Sequence, residues 1–153
     1  MKKATRQLLK YLQQANPEAY VVNVKPLAVN AAKENQCFEN VMRFLDENED
    51  WILRSGWLVG DYFGTNGTAV MPHYWVYNPS NKLDYEITPF ADAQSFEYVL
   101  DLEIASNIDE ENKLCVPVSL KINSDGSLCA RVGENRFVVL SGIDYQTLYR
   151  LTD

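Results

Sequence analysis

The stretch that decides the fold runs from Asn35 to Pro89 and contains four short segments rich in polar and aromatic residues. In chain order they read Asn35-Gln36-Cys37-Phe38-Glu39-Asn40, Gly56-Trp57, Pro72-His73-Tyr74-Trp75-Val76 and Asp84-Tyr85-Glu86-Ile87-Thr88-Pro89. A cysteine is therefore followed by the only histidine of the chain and then by two carboxylates. A thiol, an imidazole and an acidic group come from three predicted elements, a helix and two later strands.

The first of these elements is a helix that begins at Cys37. Apolar residues recur at i, i+3, i+4 and i+7, at Phe38, Val41, Met42 and Leu45. Unpaired N–H groups and the helix dipole stabilise an anion in the first helical turn, and the thiolate is the reactive form of cysteine. An imidazolium stabilises a thiolate further, and only His73 can supply one. We therefore interpret Cys37 as a nucleophile, the alternative being a buried thiol on the helix flank.

The histidine and the carboxylates lie on two strands, residues 73–77 and 83–88, joined by the turn 78–81. If Tyr77 pairs with Lys82, His73 lies directly across from Glu86 and on the same face as Asp84. If Tyr77 pairs with Leu83, the imidazole and the carboxylates lie on opposite faces. We expect the first register.

In that register Glu86 is the preferred partner of the imidazole, and Asp84 is the alternative. His73 could instead be a half-buried strand residue whose ring is satisfied by the backbone.

An oxyanion formed at Cys37 needs donors nearby. The backbone N–H of Cys37 is the first choice, and a side-chain amide of Gln36, Asn35 or Asn30 could add to it. Asn40 is adjacent to Cys37 on the helix surface, where it either orients the thiol or a substrate or bonds to the backbone.

Two tryptophans, Trp57 and Trp75, lie close in sequence to these residues. An aromatic wall beside a Cys and His pair is one interpretation, and we assign both to the wall of a substrate cleft. Core packing is the alternative.

The remaining sequence predicts one α+β domain spanning residues 1–153, with helices at its N-terminal end and an antiparallel sheet. The period of apolar residues indicates a helix over residues 3–15, and Ser55-Gly56 predicts a turn into a strand from Trp57. Residues 96–141 predict an antiparallel meander, followed by a helical turn around residues 145–151. The other predicted elements are a strand at 20–24 and a glycine-rich loop at 64–67.

Composition excludes several classes of function. A net charge of -7 argues against binding a nucleic acid backbone. The start, Met1-Lys2-Lys3, leads into polar residues, so we expect neither a signal peptide nor a membrane span. We expect a cytoplasmic location. Specialised export or injection would leave no signal in the sequence. Three cysteines without a CxxC spacing predict no disulfide framework, and Cys115 and Cys129 are expected in the core.

The four segments together resemble those of small bacterial and phage proteins with a papain-like or transglutaminase-like core. The shared pattern is Cys-x-x-Asn-Val on a helix, a Gly-Trp strand, a His-x-x-Val or His-x-Trp strand and a carboxylate-x-Thr-Pro strand. The resemblance implies that Cys37 is the nucleophile, His73 the general base and acid, and Glu86 the orienting residue. In that superfamily the third residue is usually Asp or Asn. Glu86 departs from this pattern, and the departure keeps Asp84 as an alternative.

These observations predict a thiol-dependent hydrolase or acyltransferase acting on an amide or ester bond of a protein or peptide-like substrate. Peptidase, amidase, deamidase and transglutaminase activity are all compatible with it. The alternative is a catalytically silent member of the same fold that acts as a protein-binding module or inhibitor. A metal site built from Cys37, His73 and a carboxylate is a third interpretation, but we assign no metal and no cofactor.

Overall fold

The computed structural model describes residues 1–60, 67–90, 96–105, 117–134 and 136–151. The described part of the chain contains three helices and nine strands, so the predicted α+β class is confirmed. The helices are α1 (Lys3–Ala15), α2 (Cys37–Glu47) and α3 (Tyr145–Arg150). The strands are β1 (Tyr20–Val22), β2 (Val24–Pro26), β3 (Ile52–Gly60), β4 (Thr68–Asn78), β5 (Leu83–Glu86), β6 (Glu97–Leu100), β7 (Leu120–Ile122), β8 (Leu128–Gly133) and β9 (Arg136–Leu140).

The strands form one sheet in the order β1-β6-β3-β4-β7-β8-β9. Strand β5 pairs with β4 outside this path, and β2 pairs with β5. The β2–β5 pair is parallel and the other pairs are antiparallel.

Strand β4 is the centre of the sheet and has an interrupted edge. All of β3 pairs along one edge of β4. Along the other edge, β7 pairs with Thr68–Val70 and β5 pairs with Val76–Asn78. Among the described residues, 71–75 therefore have no strand partner on that edge, and His73 lies at the middle of the interval.

Helices α1 and α2 pack on the sheet through the apolar stripes that their sequences predict. Leu8 and Leu12 of α1 and Val41 of α2 are fully buried. Helix α2 contacts β4 and β3, and the ring of Phe38 in its first turn meets Tyr74 of β4 edge-on at 5.2 Å between centroids. This contact fixes the start of α2 beside the central strand. No helix in the described ranges has the length and apolar character needed to cross a membrane.

Three of the predicted strands are wrong in extent or pairing. Strand β3 already begins at Ile52, and Gly56 lies inside it rather than in a turn. The predicted strand at 20–24 is divided at Asn23, because β1 pairs with β6 whereas β2 pairs with β5. Strand β6 pairs with β3 and β1 instead of joining a C-terminal meander, which in the described residues consists of β7, β8 and β9. The predicted loop at 64–67 lies outside the described residues except for Gly67.

The β4–β5 hairpin has a register two residues away from the expected one. Tyr77 pairs with Asp84 and Asn78 with Leu83, so the turn is formed by residues 79–82. Asn78 caps this turn by accepting the N–H of Ser80, and its carbonyl oxygen accepts the N–H of Lys82. The expectation that His73 lies directly across from Glu86 is therefore wrong. Because side chains alternate along a strand, a shift of two leaves His73 and Glu86 on the same face.

Candidate active site

The site is built around the His73 imidazole in the interrupted edge of β4. Its Nε2 lies 2.5 Å from Oε1 of Glu86, and both side chains are buried, with 5% and 7% of their residue surfaces exposed. Glu86 is the last residue of β5, so the imidazole and the carboxylate meet diagonally across the hairpin. The preferred partner of His73 is thus the one that contacts it.

Glu86 is held by three donors. Oε1 accepts a hydrogen bond from the hydroxyl of Tyr98 at 2.6 Å in addition to its contact with His73, and Oε2 accepts the backbone N–H of Thr88 at 3.2 Å. An ionised carboxylate can only accept hydrogen bonds, so this environment suits an unprotonated Glu86.

The alternative carboxylate, Asp84, is occupied elsewhere. Its Oδ1 accepts the indole N–H of Trp75 at 2.9 Å and lies 3.6 Å from Nε of Arg54. The described hydrogen bond of Asp84 therefore goes to Trp75, whose ring lies beside that of His73, and not to the imidazole.

Cys37 is the first residue of α2 and is half-buried, and its side chain interacts with the His73 ring. Burial is the largest influence on the imidazole and opposes its charge. The Glu86 carboxylate and hydrogen bonds to Cys37 and Glu86 outweigh burial and raise the pKa of His73 to about 10. At neutral pH the ring is an imidazolium. Because Nε2 faces Glu86, Nδ1 is the nitrogen left for the sulfur.

The proposed oxyanion residues divide into two groups. Asn35 and Gln36 are exposed next to Cys37, and Asn35 has the left-handed backbone (φ 60°) that asparagine tolerates. Asn40 is buried, and its amide bonds to both backbone groups of Lys33 and to Oγ1 of Thr88. Of the two roles expected for Asn40, the described bonds are those of the second, because its amide bonds to the backbone and fixes α2 to the loop before it and to the segment after β5. Asn30, the more distant choice, lies in that loop before α2.

The two tryptophans are core residues, and their assignment to a cleft wall is wrong. Neither has any exposed surface. The indole of Trp57 donates to Oδ2 of Asp101 at 2.9 Å. The ring of Trp75 lies 6.3 Å from that of His73 and covers Gly56, where a Cβ would approach within 2.7 Å of it. Gly56 is needed at this position because the indole occupies the space of a side chain.

Tyr98 is the residue of the site that the sequence did not single out. It lies on β6, and its ring contacts the rings of His73 and Trp75, with centroids 6.1 Å and 5.4 Å away. Its only sequence signal is its place in an alternating strand, which shows that it shares a face with other residues but not which strand lies beside it. Phe90, which is 42% exposed, lies 5.8 Å from the imidazole on another side.

Cys129 is buried in β8, in agreement with its prediction as a core residue, and neither it nor Cys37 forms a disulfide. Cys115 lies outside the described residues. Within the described ranges, no three His, Cys, Asp or Glu side chains form a group that could hold a metal ion.

No protein-family model, no curated protein and no solved structure matches this chain.

Proposed function

We propose that this protein is a thiol-dependent hydrolase or acyltransferase of the papain-like or transglutaminase-like type, acting on an amide or ester bond. The observation that carries the proposal is the chain of contacts from Cys37, at the start of a helix, through the His73 ring to a buried carboxylate. A nucleophile, a base and a group that orients the base are the three parts of this chemistry.

In the proposed reaction the Cys37 thiolate attacks the carbonyl carbon of the substrate, and the negative charge moves to the carbonyl oxygen. The N–H of Cys37, with the amide of Gln36 or Asn35, stabilises this oxyanion. The His73 imidazolium gives its proton to the leaving amine or alcohol, which leaves an acyl thioester on the sulfur. Water or an amine then attacks the thioester carbon and gives its proton to His73, the C–S bond breaks, and the acid or amide product leaves the Cys37 thiolate beside the regenerated imidazolium.

The buried imidazolium supports this sequence of events. Since the pKa of His73 is raised to about 10, the ring holds a proton for the leaving group over the whole neutral range. Glu86 stays bonded to Nε2 and fixes the ring plane, so that the opposite nitrogen faces the sulfur. The half-buried Cys37 is then the group that a protein or peptide-like substrate can reach.

A second candidate is a catalytically silent, protein-binding member of the same fold. The observation in its favour is strand β9, which ends the described sheet and exposes Phe137, Val138 and Val139, the last by 72%. Exposed apolar edge strands pair readily with other chains.

Acylation of Cys37 separates the two candidates. The protein is incubated with p-nitrophenyl acetate and with short peptidyl p-nitroanilides, and the intact mass is followed together with release of p-nitrophenol or p-nitroaniline. We expect an acetyl adduct on Cys37 that turns over, and neither adduct nor turnover in Cys37→Ala. Cys129→Ser is the matched control because it removes a buried thiol away from His73, and it should behave like the wild type. An acetyl adduct confined to lysines, or product release unaffected by Cys37→Ala, would refute the enzyme.

A further inference from the structure

The Tyr98 hydroxyl and the His73 ring share one oxygen of Glu86. The Tyr98 hydroxyl donates to Oε1 at 2.6 Å, and Nε2 of His73 lies 2.5 Å from the same atom. The other oxygen accepts the N–H of Thr88. A buried acid next to a buried imidazole can share its proton in two ways, as an ion pair or as a neutral carboxylic acid beside a neutral ring. Burial favours the neutral form unless donors stabilise the carboxylate.

We propose that Tyr98 is a positioning residue whose hydroxyl keeps the shared proton on His73 rather than on Glu86. The phenol stabilises the ionised carboxylate more than the neutral acid, because a hydrogen bond to an ionised acceptor is about twice as strong as one to a neutral acceptor. It also fixes Oε1 against Nε2 and so sets the orientation of the ring toward Cys37. The role of the ring orientation toward Cys37 rests on the proposed function, whereas the position of the proton does not.

Tyr98 can donate throughout the accessible pH range. Burial first, and then the charge of Glu86 and the hydrogen bond to it, raise the pKa of Tyr98 far above its ordinary value. The hydroxyl therefore stays protonated wherever the protein is folded, and it acts as a fixed donor rather than as a second titrating group.

The other elements around the pair offer no equivalent donor among the described side chains. Helix α2 presents the thiol of Cys37, which interacts with the His73 ring. On β5, Asp84 is bound by Trp75 and lies close to Arg54. The segment after β5 contributes only the N–H of Thr88. Removal of the phenol hydroxyl thus leaves the carboxylate with one backbone donor besides His73.

The test uses Tyr98→Phe and, as a matched control, Tyr145→Phe. Tyr145 also donates its hydroxyl at 2.6 Å to a buried carboxylate, that of Asp101, but away from the histidine. Because His73 is the only histidine, labelling with ¹⁵N-histidine gives one pair of ring signals, whose shifts between pH 5 and 11 distinguish imidazolium from neutral imidazole and give the midpoint of the change. The rate of iodoacetamide labelling of Cys37 at pH 6 is measured in parallel.

In the wild type and in Tyr145→Phe we expect the shifts of an imidazolium. In Tyr98→Phe we expect the midpoint at which the ring becomes neutral to fall by about one to two pH units, a 10- to 100-fold change toward the neutral ring that corresponds to one lost hydrogen bond to a charged group. Labelling of Cys37 should slow in the same variant only. A midpoint in Tyr98→Phe equal to that of the wild type, or an equal change in Tyr145→Phe, would overturn the proposal.

A second variant keeps the inference testable should Tyr98→Phe fold poorly. Site-specific 3-fluorotyrosine at position 98 retains the hydroxyl and makes it a stronger donor, so His73 should remain an imidazolium. A neutral ring in this variant would contradict the role of the hydroxyl. Should wild-type Cys37 prove unreactive, the proposed hydrolase would fail, whereas the ¹⁵N shifts of His73 would still decide the role of Tyr98.

Discussion

Replacing Glu86 by glutamine tests the electrostatic core of the site without changing its shape. Glu86 is the largest influence that raises the pKa of His73, whereas burial lowers it. Without the carboxylate charge, burial is opposed only by the interaction with Cys37, and we expect the pKa of His73 to fall from about 10 by about two units or more. The single histidine allows the titration to be read from one set of NMR signals between pH 5 and 11.

The structural cost of this substitution can be worked from the contacts of Glu86. A glutamine oxygen at Oε1 still accepts from Tyr98 and from neutral His73, but its NH₂ group meets the N–H of Thr88, so two donors face each other. One such mismatch costs about 1 to 3 kcal/mol of unfolding free energy. The variant should therefore fold, with a lowered midpoint in urea, and remain suitable for the titration.

The matched control is Asp84→Asn, which removes the same charge from the same strand. Asp84 bonds to Trp75, so we expect the pKa of His73 to stay within about half a unit of the wild-type value. A His73 that still titrates near 10 in Glu86→Gln, or one that titrates near 6.5 in the wild type, would refute the reasoning.

The same shift predicts a dependence of stability on pH. A folded-state pKa above the unfolded value means that the stabilisation from the bound proton is fully present below pH 6.5, decreases above it, and is lost as the pH rises through about 10. The comparison is made in Cys37→Ala, where the upper limit lies below about 10 because the interaction with Cys37 also raises the pKa of His73. Between pH 6.5 and that lower limit, unfolding free energy should fall by up to about 1.4 kcal/mol per pH unit. This slope should be smaller by that amount in Cys37→Ala/Glu86→Gln, and equal slopes would contradict the shift.

Three further substitutions test the scaffold by urea denaturation. Gly56→Ala places a Cβ within 2.0 Å of the Val99 carbonyl oxygen and should cost more than about 3 kcal/mol; a loss below 1 kcal/mol would disprove this packing. Asn40→Ala removes the bonds that hold α2 to Thr88, and we expect a loss of about 2 to 4 kcal/mol with slower labelling of Cys37; unchanged labelling would show that these bonds do not position the thiol. Asp101→Ala leaves the indole of Trp57 and three other donors without their acceptor and should cost about 3 kcal/mol or more, whereas a neutral effect would contradict its place in the core.

The sequence predicted the local parts of the site and not the parts that depend on distant strands. The apolar period from Phe38 to Leu45 located α2 and placed Cys37 at its start. The alternation of side chains placed His73 and Glu86 on one face, although the register predicted from the turn differs by two residues from the observed one. A shift of two residues does not change the face on which each side chain lies, because side chains alternate along a strand with a period of two.

Tyr98 and the two tryptophans mark the limit of such prediction. The partner of Tyr98 is twelve residues away in sequence, but the contact exists because β6 pairs with β3, on the far side of β4 from β5. Nothing local encodes that pairing, and β6 was expected in a C-terminal meander. The burial of Trp57 and Trp75 likewise depends on neighbours supplied by other strands, such as Asp101 and Gly56.

The most direct test of the central claim is the rate of iodoacetamide labelling of Cys37 between pH 5 and 9, measured by peptide mass spectrometry in the wild type and in His73→Gln. If Cys37 and His73 form a thiolate–imidazolium pair, Cys37 reacts at pH 6 at a rate close to that at pH 8, and His73→Gln slows the reaction at pH 6 at least about tenfold. Cys129, buried in β8, should stay unlabelled in both proteins. A Cys37 that reacts only above pH 8, or at the same rate in His73→Gln, would contradict the account.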